Sequence, residues 1–355
     1  MALFTRDSID RLRDAVDMVQ LVSTKTDLRR VGSQWSGRCP FHDERTPSFS
    51  VNSVKKVFYC FGCQESGDAI AFVEKSEGLD FRDAVESIAE RYGVELQLED
   101  EDPRAEERRR RKERLLKLLE RAASFYATYL WDSQEAEPAR DYLVGRGLGE
   151  EVLREFRVGF SPSASSRVSA AAQRDGFSAA ELAATGLRQG GNDRFRGRIM
   201  FPLADTRGKV LGFGARAMAE GQRPKYLNTS ENDVYIKGRQ LFGIDRARAA
   251  AAKSGRIVVV EGYTDVLALH QAGIGEAVAI MGTALTAEQM ALLGRSAPLV
   301  VLALDADRSG QEAMLRAAQL AQNDGVDLRA VEMPEGNDPA DFIASNGAEA
   351  FERLL

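Results

Sequence analysis

The chain has 355 residues, a length that bounds it to two or three domains, and its 44% hydrophobic and 29% charged residues give an ordinary globular balance. A net charge of −6 argues against non-specific nucleic-acid binding, although a total conceals local charge and an acidic catalytic centre contributes several negatives itself. The N-terminal segment lacks the apolar core of a signal peptide and no apolar run is long enough to span a bilayer, so a cytoplasmic chain without membrane contact is expected.

In chain order, an amphipathic helix is predicted from Ser8 to about Leu21. All three cysteines and one of the two histidines then fall in one stretch, Cys39-Pro-Phe-His42 and Cys60-Phe-Gly-Cys63, with 17 residues between the pairs. This spacing suits one tetrahedral Zn2+ held by three thiolates and an imidazole, each pair on a tight turn shaped by Pro40 or Gly62. Four protein ligands leave no open position, so the site reads as structural. A reduced buried cysteine cluster is the other reading. Thiolate ligands without spare cysteines fit a reducing cytosol. Ribbon strands are expected at Thr46–Val51 and Lys55–Tyr59, and helices at Asp68–Glu77 and Asp80–Tyr92, the second ending at Gly93. Lys55 and Lys56 adjoin Phe58, Tyr59 and Phe61, a mixture suited to single-stranded nucleic acid or, for Phe58, to a small ribbon core. Residues 1–98 are thus expected to form a zinc-stapled domain.

Residues 99–112 are charge-dense, acidic and then basic (Arg108 to Lys112), and read as a solvated linker running into a helix. That helix continues through Leu115, Leu119, Ala122, Tyr126 and Leu130 on one apolar face. Residues 113–250 read as a mixed α+β region. A strand is predicted at Arg194–Pro202, where a period of two places Arg194, Arg196 and Arg198 on one face and Phe195, Ile199 and Phe201 on the other. Val210–Arg216 is its expected hairpin partner. The arginine face, Arg216, Lys225 and Lys237 have the character of contacts to a template backbone or a nucleotide triphosphate; each alone is more often a surface charge, and the arginine face is the best candidate as a set.

From 254 to 342 the pattern alternates strand and helix. Ile257–Val260 reads as a buried parallel strand, and Ala277–Ile280, Leu299–Leu304 and Leu328–Met333 read as the second, third and fourth strands. Helices are expected up to about Gln271, after a capping box at Thr286-x-x-Gln289, and from about Ser309 to Gly325. Ligands of open parallel sheets bind outside the carboxyl ends of the strands. Glu261, Asp305, Asp307 and Asp338 are expected at that edge. Clustered carboxylates repel one another, and a hard divalent cation, Mg2+ or Mn2+, relieves the repulsion. Any single one of them is also a common helix N-cap. His270, on a helix without ligand spacing, reads as structural.

Together these segments resemble the bacterial DnaG-type DNA primase family. The first region is similar to its CHC2 zinc-binding domain through Cys-Pro-Phe-His, Thr-Pro-Ser-Phe-Ser-Val, Phe-Tyr-Cys-Phe-Gly-Cys and Gly67-Asp68. The middle resembles the N-terminal polymerase subdomain through Tyr142-Leu-Val-Gly-Arg-Gly147, Arg196-Gly-Arg-Ile-Met-Phe-Pro, Gly212-Phe-Gly-Ala-Arg216 and Lys225-Tyr-Leu-Asn. The last resembles a Toprim catalytic domain through Glu261-Gly-Tyr-Thr-Asp265 and Leu304-Asp-Ala-Asp307. The resemblance implies a multidomain α+β and α/β fold: a zinc ribbon, a mixed polymerase subdomain and a Toprim domain with a parallel sheet. It implies a DNA-directed RNA polymerase, a nucleotidyltransferase, that makes short RNA primers on single-stranded DNA for replication from ribonucleoside triphosphates. It implies metal at Glu261, Asp305 and Asp307, and basic contacts at Arg146, Arg216, Lys225 and Lys237. The family often has Asp-Pro-Asp where this chain has Asp338-Pro-Ala340-Asp341, so Ala340 stands at the second acid. Residues 343–355 read as the start of a helical part that family members continue, followed there by a domain docking the replicative helicase; that docking is expected only of a full-length protein, and a monomer is expected here. The rival reading is a non-catalytic single-stranded-DNA-binding zinc protein with a decayed Toprim domain. A Toprim nuclease or topoisomerase is a lesser rival, and no G-x4-G-K-[ST] loop supports a fused helicase.

Overall fold

The computed structural model describes residues 4–98, 103–282, 285–304, 308–324, 326–331, 333–334 and 337–355. The chain divides into two compact units, Met1–Ala105 with Arg248–Gly255, and Glu106–Ala247 with Arg256–Leu355.

The first unit opens with α1 (Arg6–Ala15) and α2 (Met18–Ser23). The sequence predicts one helix here, and the structure breaks it. Val16 is extended, and the Asp17 carboxylate accepts from the N–H groups of Val19 and Gln20, both at 3.0 Å, so it starts a new helix instead of continuing the old one. An antiparallel sheet follows in sequential order: β1 (Arg29–Val31), β2 (Gln34–Gly37), β3 (Phe49–Asn52), β4 (Val57–Cys60) and β5 (Ser66–Gly67). Of these, β1, β2 and β5 are too short and polar to be read from hydropathy. Helices α3 (Ala69–Glu77) and α4 (Phe81–Tyr92) are N-capped by Asp68 and Asp80. Alternation along β3 and β4 turns Phe49, Val51 and Phe58 inward, where Phe41, Phe49, Phe58 and Phe72 pack with centroids 5.2–6.3 Å apart. Phe58 is therefore core, while Tyr59 and Phe61 remain 41% and 73% exposed.

The second unit begins within the long helix α5 (Pro103–Asp132), so the basic run expected as linker is helical. It continues through α6 (Glu137–Gly145), α7 (Glu150–Glu155), β6 (Gly159–Ser161), α8 (Arg167–Arg174), α9 (Ala179–Ala184), the ribbon β7 (Arg188–Gln189) and β8 (Asn192–Asp193), then β9 (Arg198–Ala204), β10 (Val210–Ala217) and β11 (Tyr226–Asn228). The sheet order is β11-β10-β9-β6, all antiparallel.

After α10 (Ile244–Ser254) come β12 (Arg256–Val260), α11 (Tyr263–Gln271), β13 (Ala277–Ala279), α12 (Ala287–Ser296), β14 (Leu299–Leu302), α13 (Arg308–Asp324), β15 (Asp327–Ala330), α14 (Pro339–Asn346) and α15 (Ala348–Glu352). The four strands form a parallel sheet in the order β13-β12-β14-β15. The central strands β12 and β14 are buried nearly throughout, as strands covered on both faces must be. The Thr286–Gln289 capping box is present in both directions. One apolar core joins the antiparallel and parallel sheets of this unit through Ile199, Phe201, Phe242, Val260, Tyr263 and Ala279. Among the described residues, no helix is long and apolar enough to cross a membrane.

Candidate metal centre and active site

The ligand atoms of Cys39, His42, Cys60 and Cys63 all lie within 4.8 Å of one another. Cys39 Sγ is 3.9 Å from Cys63 Sγ, and Cys60 Sγ is 4.0 Å from His42 Nδ1. A tetrahedral ion with bonds of about 2.3 Å to sulfur sets sulfur atoms about 3.8 Å apart, so the donor set fits zinc. The other ring nitrogen, Nε2, lies 3.4 Å from Glu44 Oε2. Glu44 also accepts from the Cys39 N–H at 2.6 Å, the Ser48 N–H at 3.1 Å and the Ser48 hydroxyl, whose Oγ lies 3.2 Å from Cys60 Sγ. Burial pushes the Glu44 carboxyl up, but these hydrogen bonds outweigh it and hold the pKa below the usual range. One carboxylate thus orients a ligand from each pair. Sequence reading missed Glu44 and Ser48 because their reach to the ligands depends on how the turn folds back.

A second constellation lies in the larger unit. Glu261 directly follows β12 and is half-buried; its carbonyl accepts from the Met281 N–H at 3.1 Å, which ties it to the segment after β13. The Gly262 N–H donates to Asp265 Oδ2 at 3.0 Å, opening α11. Asp338 is the N-cap of α14, its Oδ1 accepting from the Asp341 N–H at 2.7 Å, while Oδ2 accepts from Arg146 Nη2 at 3.2 Å. Arg146 Nη1 lies 3.8 Å from Asp341 Oδ1, so the guanidinium bridges both acids of the Asp338-Pro-Ala-Asp341 segment. Ala340 between them is 7% exposed. One turn before Arg146, Tyr142 lies against Arg216, with the guanidinium carbon 3.8 Å from the ring centroid. Arg216 pairs across strands with Tyr226, and Lys225 Nζ is 5.8 Å from the Tyr226 ring centroid.

Residues 4–104 match the CHC2 zinc finger family, residues 125–248 the N-terminal domain of the DNA primase catalytic core, and residues 258–343 the Toprim-like family. The crystal structure of the Aquifex aeolicus primase zinc-binding and RNA polymerase domains is 36% identical, with a TM-score of 0.64, over 98% of this chain and 84% of that one. The chain belongs to the DnaG primase family. The RNA polymerase domain of Mycobacterium tuberculosis primase DnaG is 39% identical to this family member at a TM-score of 0.65, covering 68% of this chain and 82% of that one. The DNA primase of Clostridium acetobutylicum is 36% identical over 99% of this chain and 59% of its own length. That of Escherichia coli is 38% identical over 98% of this chain and 61% of its own length. This DnaG-family chain therefore spans about three-fifths of the length of these two relatives.

Of the residues read from sequence, the fold of this DnaG-family chain brings the four zinc-type ligands together. It also gathers Arg146 with Asp338, and sets Arg216 opposite Tyr226, the chain neighbour of Lys225. Asp305 and Asp307 lie outside the described residues. Lys237 opens a 3-10 turn and is half-buried. The arginine trio is a correction. Gly197 has φ +59°, which interrupts the extended backbone, and the strand begins only at Arg198. Arg194, Arg196 and Arg198 consequently share no strand face. Arg198 is 3% exposed and donates to the Pro224 carbonyl at 2.9 Å; Arg194 donates to the Asn228 carbonyl at 3.3 Å and to Gln189 Oε1 at 2.6 Å; Arg196 remains exposed. His270, whose Nε2 is 3.0 Å from the Ala277 carbonyl and whose ring packs edge-on to Phe156, fits the structural reading.

Proposed function

We propose that this chain is the primer-synthesising part of a DnaG primase: a DNA-directed RNA polymerase, a nucleotidyltransferase by reaction class, that starts chains de novo on single-stranded DNA. The observation that carries the reading is the 36% identity, over 98% of this chain, to a structure of zinc-binding and RNA polymerase domains. A related DnaG catalytic domain, 39% identical, has been solved bound to single-stranded DNA.

In this reading Cys39, His42, Cys60 and Cys63 hold zinc and brace the five-stranded sheet; exposed Tyr59 on β4 and Phe61 in the turn after it, packed edge to face at 4.8 Å, offer stacking surfaces to template bases. Glu261, Asp305 and Asp307 supply hard oxygen donors for Mg2+ or Mn2+, with Asp338 joining by exchanging its contact with Arg146. The bound divalent ion supplies charge neutralisation at the reacting phosphate. Arg146, Arg216, Lys225 and Lys237, with exposed Arg196, orient template and triphosphate phosphates. The 3′-hydroxyl of one ribonucleotide attacks the α-phosphorus of the next; its proton passes to solvent, an oxygen–phosphorus bond forms, the α–β phosphoanhydride bond breaks, and pyrophosphate leaves. Positioning and charge neutralisation account for most of the rate. The polymerising unit works as a monomer at the replication fork in the cytoplasm, and helicase docking is not assigned to these residues.

The test supplies single-stranded DNA, four ribonucleoside triphosphates and Mg2+ or Mn2+, and resolves short RNA on a gel. Template-dependent RNA is expected, reduced at least ~100-fold by Asp305→Asn. DNA binding without RNA synthesis would instead support the non-catalytic zinc protein, and RNA unaffected by Asp305→Asn would remove the metal assignment.

A further inference from the structure

Arg216 is half-buried and is held at several points. Its Nη1 donates to the Ala217 carbonyl at 3.0 Å and lies 3.7 Å from Met218 Sδ. Its Nε is buried and has no hydrogen-bond partner among the described residues, while elsewhere the guanidinium donates to the Tyr226 hydroxyl. The ring of Tyr142 covers one side of the guanidinium at 3.8 Å. A buried N–H left unsatisfied costs free energy, and a fold tolerates it where a ligand completes the bond. The edge that carries Nε also carries one terminal nitrogen, and these two parallel donors match two oxygens of one phosphate group.

Tyr142 is suited to keep that edge aimed. It sits on α6 one turn before Arg146, so a single helical face supplies both the ring under Arg216 and the guanidinium that bridges Asp338 and Asp341. Its ring is half-buried and packs against the apolar core, which limits its rotamers. A cation over an aromatic face gains electrostatically from the ring quadrupole, more so when partly desolvated. The aromatic body therefore does the holding, and the hydroxyl is dispensable.

We propose that Tyr142 is a positioning residue, which fixes the Arg216 guanidinium so that its Nε edge grips a phosphate group of the nucleotide substrate. The inference rests on the primase reading for the identity of that phosphate, which belongs either to the incoming triphosphate or to the template strand.

The experiment uses the full chain and the variants Tyr142→Phe, Tyr142→Leu, Arg216→Ala and Tyr142→Leu with Arg216→Ala. Equilibrium binding of a fluorescent GTP analogue and of a fluorescently labelled single-stranded oligonucleotide is measured separately, with melting curves checking that each variant folds. Tyr142→Leu is expected to weaken one of the two ligands ~10-fold, and Tyr142→Phe no more than ~2-fold. Weaker GTP-analogue binding, with KM raised more than kcat falls in primer synthesis, assigns the phosphate to the triphosphate; weaker oligonucleotide binding assigns it to the template. In the Arg216→Ala background Tyr142→Leu should cost nothing further. Unchanged binding of both ligands in Tyr142→Leu, equal losses in the Phe and Leu variants, or a full additional loss beside Arg216→Ala would overturn the proposal. Because binding is read without catalysis, failure of the unsubstituted chain to make RNA would count against the primase reading alone.

Discussion

Gly214 and Tyr263 meet where the antiparallel and parallel sheets of the larger unit join: a Cβ at position 214 would lie 2.0 Å from the Tyr263 hydroxyl and 2.2 Å from its Cζ. The Tyr263 ring is buried, stacked on Phe201 at 4.5 Å, and its hydroxyl donates to Asn228 Oδ1 at 2.7 Å. The residue that opens α11, two positions after Glu261, is thus keyed into strand β10, two positions before Arg216. The contact fixes the acidic edge against the strand that carries the basic residues.

Gly214→Ala should therefore cost about 3 kcal/mol by urea unfolding, the upper end for overpacking, because a stacked ring cannot retreat. Tyr263→Phe should cost about 1 kcal/mol for the lost hydrogen bond, and it should not rescue Gly214→Ala, since the clash with Cζ remains. Rescue by Tyr263→Phe would show that the ring yields.

Zinc removal should unfold the first unit selectively. Cys60→Ser, or a strong chelator, is expected to abolish a separate unfolding transition in calorimetry while the larger unit keeps its own, because the metal's binding energy is folding energy for a small ribbon. Glu44→Gln keeps all four ligands but weakens the acceptor at the His42 ring and the Cys39 N–H. Its zinc affinity should fall ~10- to 100-fold by competition with a chromogenic chelator. An unchanged affinity would leave Glu44 as an ordinary turn residue.

Asp338 both caps α14 and faces Arg146. Asp338→Ala should lose about 1 kcal/mol for the cap, whereas Asp338→Asn retains a capping oxygen and should lose less. If Asp338 also contributes to the divalent site, Asp338→Asn should raise the Mg2+ concentration for half-maximal RNA synthesis with little change in stability. The same Mg2+ dependence in the variant and the parent would confine the residue to its cap.

Burial, the largest influence, lowers the His270 pKa below its ordinary value, although its contact with the Ala277 carbonyl acts the other way. A depressed folded-state value means that the unfolded chain binds the proton more readily. The associated stability is present in full above the unfolded value of about 6.5 and is lost as pH falls through the lower folded value. His270→Gln should flatten the decline in melting temperature between about pH 7 and pH 5. An undiminished decline would assign the acid sensitivity to carboxylates.

The zinc ligands were legible because turn-bound C-x2-H and C-x2-C pairs are local: four residues in two short segments specify the chemistry before any long-range contact forms. The parallel strands β12, β13 and β14 were legible for a similar reason, as apolar runs, with capping residues such as Thr286 and Gln289 marking a helix between them. Tertiary context decided the rest. Residue period alone put Arg194, Arg196 and Arg198 together, and one positive φ at Gly197 separated them. Asp17 split a helix that hydropathy alone predicts as continuous. Asp338 is an N-cap and an ion-pair partner at once, a dual engagement visible only when Arg146, 192 positions earlier, arrives beside it. Glu44 behind the zinc ligands, Tyr142 under Arg216 and Tyr263 over Gly214 carry no signature in the one-dimensional chain, because each acts through a neighbour that only folding supplies.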